Sequence, residues 1–406
     1  MSMSSIGSVA APAPAPEPVL APEAERLRIL TVMNCSRSGP SGMPTANDNI
    51  SRALAALGCT VDHLYIEDYP RPVRVRWLNY FLFGSLTARL VRKLEGQREG
   101  YDVIQVSGGD GYLANLLRHD RRGRRRLVVA RCHGLEHRYW EAFRSEVGAG
   151  FAHATFRHRL YFGGLRLKQV EMSVRRADLF NCHTEADARY VIEKGWKRRH
   201  EVVILPSGIE PEWFAPAIEQ APAAKRLLFC GSWTWMKGAR VLVSVFERLA
   251  AVDPEVRLTV LGAGSDEQTV LDAFSPDLHQ RVTVRPGIPH GEVLREFRRH
   301  DLLLFTSLFE GYGTVVIEAM AAGLPVVSSA VGSAPECIED GRNGYLVEPG
   351  DVDAFVSACL TLLSSSPAAR RVLRAAAVES VSSLTWPRVA EATAAAYAGA
   401  LDSLSR

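Results

Sequence analysis

The amino-acid sequence predicts an α/β protein with two doubly wound domains, each built on a parallel β-sheet that helices cover on both faces. Short runs of Val, Ile and Leu alternate with helix-length amphipathic segments from Arg26 onward, which is the pattern of buried parallel strands and their crossover helices. The alternation occurs twice, on either side of an Ala- and Pro-rich segment at 214–225. A chain of 406 residues is long enough for two hydrophobic cores.

The predicted strands follow the apolar runs in chain order. They are 26–34, 60–66, 101–107, 126–132, 177–183 and 201–207 in the first half, and 226–231, 256–264, 281–287, 301–307 and 324–330 in the second. Helix-like stretches follow several of these runs; residues 49–58, for example, end in Gly58, and glycine commonly terminates helices. Residues 384–404 are predicted to form a C-terminal helix with a proline in its first turn.

These elements divide the chain into five parts. Residues 1–25 are predicted to be a disordered Ala/Pro tail, because their many prolines and their lack of Lys and Arg do not fit a signal peptide. The other parts are a first domain at 26–213, a linker at 214–225, a second domain at 226–383 and a C-terminal helix at 384–406.

Composition and charge exclude several classes of protein. No window approaches the roughly 20 uninterrupted apolar residues of a membrane-spanning helix. The net charge of +3 is too small to indicate nucleic-acid binding, although residues 1–216 carry 31 basic and 23 acidic side chains, against 17 and 22 in residues 217–406. The seven cysteines are dispersed and form no C-x-x-C pair, which favours a reducing cytoplasm.

The segment 308–329 (LFEGYGTVVIEAMAAGLPVVSS) is the most informative. A glycine-rich turn follows a predicted strand, and Gly311 and Gly313 leave backbone N–H groups open at a helix N-terminus, where phosphate binds readily. Glu318 is a single charge on an otherwise apolar helix, so it needs hydrogen-bond donors such as sugar hydroxyls. Alternatively, Glu318 pairs with an arginine or lies on a narrow exposed strip, and Glu310 only complements the helix dipole.

Residues 310–351 strongly resemble the donor-site signature of glycosyltransferase family four. The resemblance covers most of residues 26–400 and includes 183–196, 202–214, FCGSWTWMKG at 229–238 and LTVLGAG at 258–264. It implies the GT-B fold, in which two Rossmann-like domains face a central cleft, and a retaining transferase that uses a nucleotide-diphosphate sugar. The second domain is then expected to bind the donor and the first domain the acceptor.

The resemblance also implies roles for individual residues. Glu318 matches the carboxylate that binds the nucleotide ribose, and Glu310 matches the one that contacts the donor sugar. Lys237, between Gly231 and Gly238, matches the lysine that neutralises the diphosphate as the sugar–phosphate bond breaks. Backbone amides for the diphosphate and the sugar are expected from Gly311, Tyr312, Gly313 and Thr314.

In the first half, His133 follows a predicted strand and resembles the family histidine that approaches the transferred sugar. A neutral imidazole at this place hydrogen-bonds the sugar or stabilises positive charge in an oxocarbenium-like transition state. We therefore predict that His133, Lys237 and Glu310 are the catalytic residues.

Two positions depart from the family pattern. Ser232 stands where the family usually has an arginine, and a serine cannot supply a fixed cation. Either Arg240, Arg285 or another side chain substitutes for that arginine, or the leaving group is stabilised less; Ser232 itself is kept among the predicted donor-binding residues. Gly42 lies in a first βα turn that lacks adjacent glycines, and it is assigned to the donor site on the same resemblance.

Other interpretations start from single motifs or from the fold class. Residues 133–137 (HGLEH) match an inverted zinc-peptidase pattern, but they begin at a strand end and contain Gly134, so no metal site is predicted. Gly262-x-Gly264 lacks the third glycine of a dinucleotide site, so no cofactor is predicted. A sugar-nucleotide epimerase and a phosphorylase stay open as alternatives, since a fold does not determine a reaction.

The basic first half has two interpretations. Residues 71–94 interleave Arg and Lys with aromatic side chains, and the segments 118–126 and 157–168 add further basic residues. This pattern favours an anionic membrane surface, to which the protein would bind peripherally, or an acidic acceptor. Alternatively, the helix is solvated and its apolar side belongs to the core.

The sequence thus predicts a metal-independent, retaining glycosyltransferase that moves a sugar from a nucleotide-diphosphate donor to an acceptor hydroxyl in the cytoplasm. The alternative is a non-catalytic or altered nucleotide-sugar-binding protein of the same fold. The donor base, the sugar and the acceptor stay open: a glycan, a lipid or a small molecule each fits, and nucleic acid is not expected.

Overall fold

The computed structural model describes residues 27–37, 42–70, 76–95, 100–214 and 225–405. The predicted tail at 1–25 and nearly all of the predicted linker lie outside these residues. Two six-stranded sheets are present within them, and every strand pairing is parallel. The predicted fold class, a pair of doubly wound α/β domains, is confirmed.

The first sheet has the strand order β2-β1-β3-β4-β5-β6. Its strands are β1 (Arg28–Val32), β2 (Thr60–Leu64), β3 (Val103–Ser107), β4 (Leu127–Arg131), β5 (Leu179–Cys182) and β6 (Val202–Ile204). Its helices are α1 (Gly42–Ala56), α2 (Arg76–Glu95), α3 (Glu136–Gly148), α4 (Phe156–Leu160), α5 (Leu167–Arg176) and α6 (Glu185–Glu193), with a π-helical segment (Tyr161–Arg166) between α4 and α5. The strand order reverses between β1 and β3, where doubly wound sheets bind ligands beyond the carboxyl ends of their strands.

The second sheet has the strand order β12-β11-β10-β7-β8-β9. Its strands are β7 (Arg226–Cys230), β8 (Arg257–Leu261), β9 (Val282–Arg285), β10 (Leu302–Phe305), β11 (Val326–Ser329) and β12 (Tyr345–Val347). The helices that follow are α7 (Ala239–Val252), α8 (Glu267–Leu271), α9 (His290–Arg299), α10 (Thr314–Ala321), α11 (Ala334–Cys337), α12 (Val352–Ser364), α13 (Pro367–Val381) and α14 (Trp386–Ser405). Here the order reverses between β7 and β10, so α7 and α10 begin beside the second switch point.

The central strands are buried on both faces. Every residue of β4, β5, β10 and β11 is buried, because helices cover each sheet from two sides. This explains why their sequences are continuous rather than alternating. The short strand β12 was not predicted, because its apolar run is only three residues long and only one of the three is buried.

The C-terminal helix α14 packs against the first domain. Val389, Ala390 and Tyr397 of this helix belong to the same core cluster as Ile29 of β1. The Tyr397 hydroxyl donates to Gln105 Oε1 at 2.6 Å and accepts from Asn181 Nδ2 at 2.9 Å. The chain therefore returns from the second domain to the first, and a buried hydrogen-bond network fixes the position of α14.

Several arginines of the basic segment 118–126 are structural. Arg126 is fully buried and forms an ion pair with Glu95. Arg125 pairs with Asp178 at 2.6 Å, and Arg124 pairs with Asp102 at 2.9 Å. The prediction that this segment adds to a basic surface is therefore wrong for the buried Arg126. Arg124 is exposed, but its charge, like that of Arg125, is compensated by a carboxylate of the first domain.

Helix α2 supports the interpretation that residues 71–94 form a solvated helix whose apolar side belongs to the core. Phe83, Ala88 and Val91 of α2 are buried in the first-domain core, whereas Arg89 and Arg92 are exposed. The side chains of residues 71–80 lie outside the described part. In the part that is described, the apolar side of the helix belongs to the core.

All seven cysteines are free, and four of them are buried. Among the described residues, no single helix is long and apolar enough to cross a membrane. The helix pair Val352–Ser364 and Pro367–Val381, bent by 116°, meets that test by length and composition alone.

Candidate active site

The two sheets direct the carboxyl ends of their strands toward one interdomain cavity. From the first domain, Arg131, His133, Asn181, His183 and Ser207 line it. From the second domain, the lining residues are Lys237 and Glu310 through Val315, and α14 adds Trp386, Val389 and Thr393. Polar groups of both domains therefore converge on a single site, as is usual for ligand-binding cavities.

The backbones of the two domains touch at glycines. A Cβ atom added to Gly311 would lie 1.8 Å from the carbonyl oxygen of His133, and one added to Gly134 would lie 2.5 Å from Gly311 Cα. Gly134 also has a φ of +124°, which favours glycine. Both positions thus require glycine, and the contact places the turn before α10 directly against the end of β4.

The turn itself is built for an anion. Gly313 precedes α10 in the left-handed conformation, with a φ of 78°, and the first amides of α10 point out of the helix because they have no intrahelical acceptor. The positive end of the helix dipole lies at the same place. This geometry agrees with the predicted phosphate contacts of Gly311, Gly313 and Thr314.

Tyr312 has a packing role besides its place in the turn. Its side chain is buried in the second-domain core and its ring lies 5.6 Å from the ring of His183. Tyr312 therefore joins the two domains through its side chain, while its backbone remains part of the predicted donor-binding turn.

Lys237 and Glu310 form an ion pair in the cavity. Gly238 precedes α7 with a φ of 69°, and a Cβ atom there would lie 1.9 Å from the carbonyl oxygen of Thr306, so α7 begins tightly against β10. This brings Lys237 Nζ onto Glu310 Oε1, which also accepts a hydrogen bond from Ser307 Oγ at 3.0 Å. Two of the three residues that were predicted to be catalytic are therefore in direct contact.

Glu318 lies on α10, one turn after Thr314, and is half-buried. Burial, and to a smaller extent the nearby Glu210 carboxylate, raise the pKa of its carboxyl group to about 7, although a hydrogen bond from the Thr314 side chain acts to lower it. Glu210 accepts a hydrogen bond from Asn49 Nδ2 of α1 at 2.7 Å. No arginine pairs with Glu318 among the described residues, so the alternative of an arginine partner is wrong there.

His133 belongs to a hydrogen-bonded chain of two histidines. His183 Nδ1 lies 2.7 Å from the carbonyl oxygen of Leu205, and His183 Nε2 lies 3.4 Å from His133 Nδ1. A carbonyl oxygen only accepts, so His183 carries its proton on Nδ1, and in the neutral ring Nε2 is an acceptor. His133 must then donate through Nδ1, which leaves its Nε2 as an acceptor in the cavity.

Burial and the neighbouring Arg131 cation keep both histidines neutral. Burial, followed by Arg131, lowers the pKa of His183 to about 4. Burial also lowers the pKa of His133 well below its usual value, and Arg131 and His183 add to the effect. The His133 ring is thus uncharged at neutral pH, which is the form that was predicted to face the sugar.

Two predicted donor-site residues, Glu318 and Ser232, are not among the described residues that line this cavity. Ser232 follows β7 and is half-buried; its carbonyl oxygen accepts from the Thr234 amide at 2.9 Å. Gly42 is the first residue of α1 rather than part of a glycine-rich loop, and residues 38–41 before it lie outside the described part. Their assignment to the donor site stays a prediction.

The suggested replacements for the arginine at position 232 are engaged elsewhere. Arg240 lies 3.8 Å from Glu146 and stacks on Phe151. Arg285 pairs with Glu296 at 2.7 Å. The residues of the zinc-peptidase pattern at 133–137 also have different partners. Glu136 contacts Arg166, and the His137 ring packs on Trp196.

The sequence analysis did not single out Arg131, His183 or Asn181. Each lies within two residues of the carboxyl end of a buried strand, as His133 does. A polar residue at the carboxyl end of an apolar run is therefore the signal that could have identified them.

Comparison with solved structures supports the same architecture. Sucrose-phosphate synthase from Thermosynechococcus elongatus superposes with a TM-score of 0.75 at 20% identity, covering 93% of this chain and 100% of that one. HepE of Anabaena, in complex with UDP-glucose, superposes with a TM-score of 0.62 at 17% identity, covering 93% and 99%. The chain therefore has the GT-B fold, which confirms the fold that the sequence resemblance implied.

Sequence comparison identifies the second domain more closely. Residues 224–365 match the family described as glycosyl transferases group 1. A glycogen synthase of Mycobacterium tuberculosis is 31% identical over 202 residues, 49% of each chain. A D-inositol 3-phosphate glycosyltransferase of an Arthrobacter species is 32% identical over 236 residues, 54% of this chain and 55% of that one. The second domain is therefore similar to the group 1 glycosyltransferases, in agreement with the resemblance to family four.

The matches to curated relatives cover only part of each chain, which limits what they show about the whole protein. The chain spans about half the length of the curated relatives given above. The structural matches are below 25% identity and show the fold. The activity of the whole chain is therefore argued below from its own residues.

Replacing Glu318 by Gln should remove a pH dependence of stability. A carboxyl group with a pKa of about 7 in the folded protein and about 4.5 in the unfolded chain binds more protons when folded, so stability falls as pH rises through this range. Between pH 4.5 and 8, the free energy of unfolding of the wild type should fall by about 3 kcal/mol more than that of Glu318→Gln. Denaturant titrations of both proteins at several pH values would measure this. Parallel stability curves would contradict the assignment.

Replacing Gly311 by Ala should push the two domains apart, because the added methyl group would overlap the His133 carbonyl. We expect the free energy of unfolding, measured by denaturant titration, to fall by about 1–3 kcal/mol. Gly399→Ala is the matched control, since nothing lies within 4 Å of that site and Ala is favoured over Gly in a helix. Equal stability of the two variants would show that the domains do not meet at Gly311.

Proposed function

We propose that the protein is a retaining, metal-independent glycosyltransferase that moves a sugar from a nucleotide-diphosphate donor to an acceptor hydroxyl. One observation carries the proposal. Lys237, Glu310 and the amides of the turn before α10 line the same cavity as His133 of the other domain. A turn with the geometry of an anion site and an uncharged imidazole thus line opposite sides of one GT-B cleft, which supports the proposal.

The donor occupies the second-domain side of the cleft in this proposal. The ribose hydroxyls donate to Glu318, which supplies an acceptor from an apolar helix, and the diphosphate binds the amides of Gly311 through Thr314. Glu310 contacts the donor sugar, while Lys237 approaches the diphosphate. Ser232 and Gly42 complete the proposed donor site at its edges.

The chemistry follows from where charge develops. As the bond between the anomeric carbon and the diphosphate oxygen lengthens, negative charge grows on the leaving group, and Lys237 with the turn amides stabilises it. Positive charge grows on the sugar, next to the uncharged His133 ring. A protonated histidine would oppose that charge, so its lowered pKa favours the reaction.

In this proposal, the anomeric configuration is retained because of the face from which the acceptor attacks. Glu310, the carboxylate that lines the cavity among the described residues, is held by Lys237 and Ser307 and is therefore poorly placed for a covalent bond to the sugar. We infer that the acceptor hydroxyl attacks from the face that the diphosphate leaves, and that the departing phosphate oxygen takes its proton.

No metal or cofactor is assigned to this reaction. Lys237 and the helix amides supply the positive charge that a divalent cation would otherwise provide for a diphosphate. Transfer is expected to persist in EDTA. The free cysteines support the proposal that the protein works in the cytoplasm.

A peripheral interaction with anionic membranes is a further part of the proposal. Phe156 and Leu160 of α4 are 78% and 54% exposed, and Arg157 and Arg159 alternate with them. Exposed apolar side chains beside basic ones suit an anionic lipid surface. A lipid acceptor would then be presented near the cleft; a glycan or a small molecule stays the alternative, and nucleic acid is not proposed.

Co-sedimentation with anionic vesicles tests the membrane hypothesis. The wild type should bind vesicles at low salt and less at high salt, and the double variant Phe156→Ser, Leu160→Ser should bind more weakly. Val252→Ser, which removes an exposed apolar side chain of the second domain, is the control and should bind like the wild type. Absence of binding at low salt would remove the hypothesis.

A second candidate function is a nucleotide-sugar-binding protein without transferase activity. It is favoured by Ser232, which supplies no cation, and by the ion pair that already engages Lys237. This candidate predicts binding of a nucleoside diphosphate without release of that diphosphate from any nucleotide sugar.

Turnover of nucleotide sugars separates the two candidates. We expect wild-type protein to release a nucleoside diphosphate from one of the UDP-, GDP-, ADP- or dTDP-sugars, slowly with water and faster with an acceptor. Lys237→Ala should lower that rate about 10²–10³-fold by removing leaving-group stabilisation. Lys194→Ala, at an exposed lysine of the first domain, should not change it. Wild-type turnover in Lys237→Ala would overturn the proposed role.

A further inference from the structure

Arg131 is a buried cation of the cavity that the proposed function has not used. It is the last residue of β4, its side chain is 7% exposed, and it lines the cavity together with Lys237 and the turn before α10. Arginine remains protonated in proteins even when burial lowers its pKa. A full positive charge is therefore held on the first-domain side of the cleft.

The surroundings of Arg131 do not neutralise this charge. Arg131 Nη1 donates to Asn47 Oδ1 of α1 at 2.6 Å, and Arg131 Nε is buried without a hydrogen-bond partner among the described residues. No described carboxylate forms an ion pair with Arg131 either. Tyr397 does not supply a counter-charge, because burial raises the pKa of its hydroxyl to about 12 and the phenol is neutral at neutral pH.

A buried cation without a counter-ion is costly. Burying an unpaired charge costs several kcal/mol after relaxation, and buried arginines are usually paired or bind anions. The other cation in the cavity lining, Lys237, is already compensated by Glu310. Among the described lining residues, Arg131 therefore carries the charge that is left uncompensated.

Other polar atoms around the same cavity also lack partners among the described residues. They include Ser207 Oγ and Trp386 Nε1, which are both hydrogen-bond donors. His133 Nε2 is unpartnered as well, but it is an acceptor by the tautomer argument above. Two neutral donors and one cation around the cavity thus lack a partner, and the described carboxylate of the cavity lining, Glu310, is already paired with Lys237.

We propose that Arg131 binds an oxyanion, a phosphate or carboxylate group of a ligand, in the first-domain half of the cleft. The guanidinium fork matches such groups in geometry as well as in charge. The identity of the ligand rests on the proposed function: the oxyanion belongs either to the donor diphosphate, where Arg131 would stand in for the arginine absent at position 232, or to an acidic acceptor.

Two variants test the role of Arg131 in different ways. Arg131→Met removes the charge and keeps an unbranched side chain. Asn47→Asp keeps the arginine and the accepting oxygen but supplies an internal counter-ion. Each variant loses hydrogen bonds of Asn47, but each also removes the cost of an uncompensated buried charge, so both should unfold at about the same temperature as the wild type. A lower unfolding temperature in both would indicate that Arg131 is structural.

Calorimetric titration with UDP, GDP, ADP and dTDP tests the donor as the source of the oxyanion. If the diphosphate contacts Arg131, the dissociation constant of the preferred nucleotide should rise about 10- to 100-fold in both variants, as expected for loss of a charged hydrogen bond. Arg122→Met, at an exposed arginine of the first domain, should bind like the wild type. This result would support the proposal and identify the donor as the source.

Titration with inorganic phosphate tests the acceptor as the source. The preferred nucleotide is first added to saturation, so that the diphosphate site is filled. Phosphate binding by the wild type under these conditions, weakened tenfold or more in Arg131→Met and Asn47→Asp, would support the proposal and indicate an acidic acceptor. If neither nucleotide nor phosphate binding changes in the two variants, the proposal is overturned.

Failure of the proposed function can be distinguished from failure of this inference. If no nucleotide binds the wild type, or if Glu318→Ala does not weaken nucleotide binding, the donor site assignment fails. The phosphate titration is then done without nucleotide and still tests Arg131. Loss of the phosphate response in Arg131→Met, and its retention in Glu318→Ala, would support oxyanion binding without a donor site.

Discussion

The contact between the His133 carbonyl and Gly311 is the constraint on which the site depends. Gly134 and Gly311 lack side chains, so two backbones from different domains approach within van der Waals distance. This approach places the N-terminus of α10 opposite the end of β4. It also brings Tyr312 against His183, and α14 returns across the cleft to pack on the first domain. Each domain alone would present only half of the polar groups that line the cavity.

Burial then determines the charge of each group in the cleft. Removal from water favours the neutral forms of His133, His183 and Glu318, whereas Lys237 and Glu310 stay charged as a pair. Arg131 keeps its charge because a guanidinium cannot lose its proton at neutral pH, and it holds the two histidines neutral. The cleft thus combines an uncharged imidazole, where positive charge would develop on a sugar, with fixed positive charge where a leaving group would become negative.

Much of the fold could be predicted from the sequence, because buried parallel strands have continuous apolar runs and doubly wound domains repeat them. The strand β12 could not be predicted, since it is short and only partly buried. The packing of α14 on the first domain could not be predicted either, because it depends on hydrogen bonds of Tyr397 with Gln105 and Asn181, which are distant in sequence. The site was predicted where a motif marks it, at Lys237 and the turn before α10. His183 and Arg131 were missed because their importance lies in contacts between strands and across the cleft, which spacing along the chain does not show.

Hydrogen–deuterium exchange with and without the nucleoside diphosphate that binds most tightly would test the central claim, that one ligand site is built by both domains. The account predicts slower exchange in two separate segments at once: residues 310–318 of the second domain and residues 131–135 of the first. Glu318→Ala should abolish both effects together. Protection that is confined to one domain, or that lies away from these segments, would contradict a shared interdomain site.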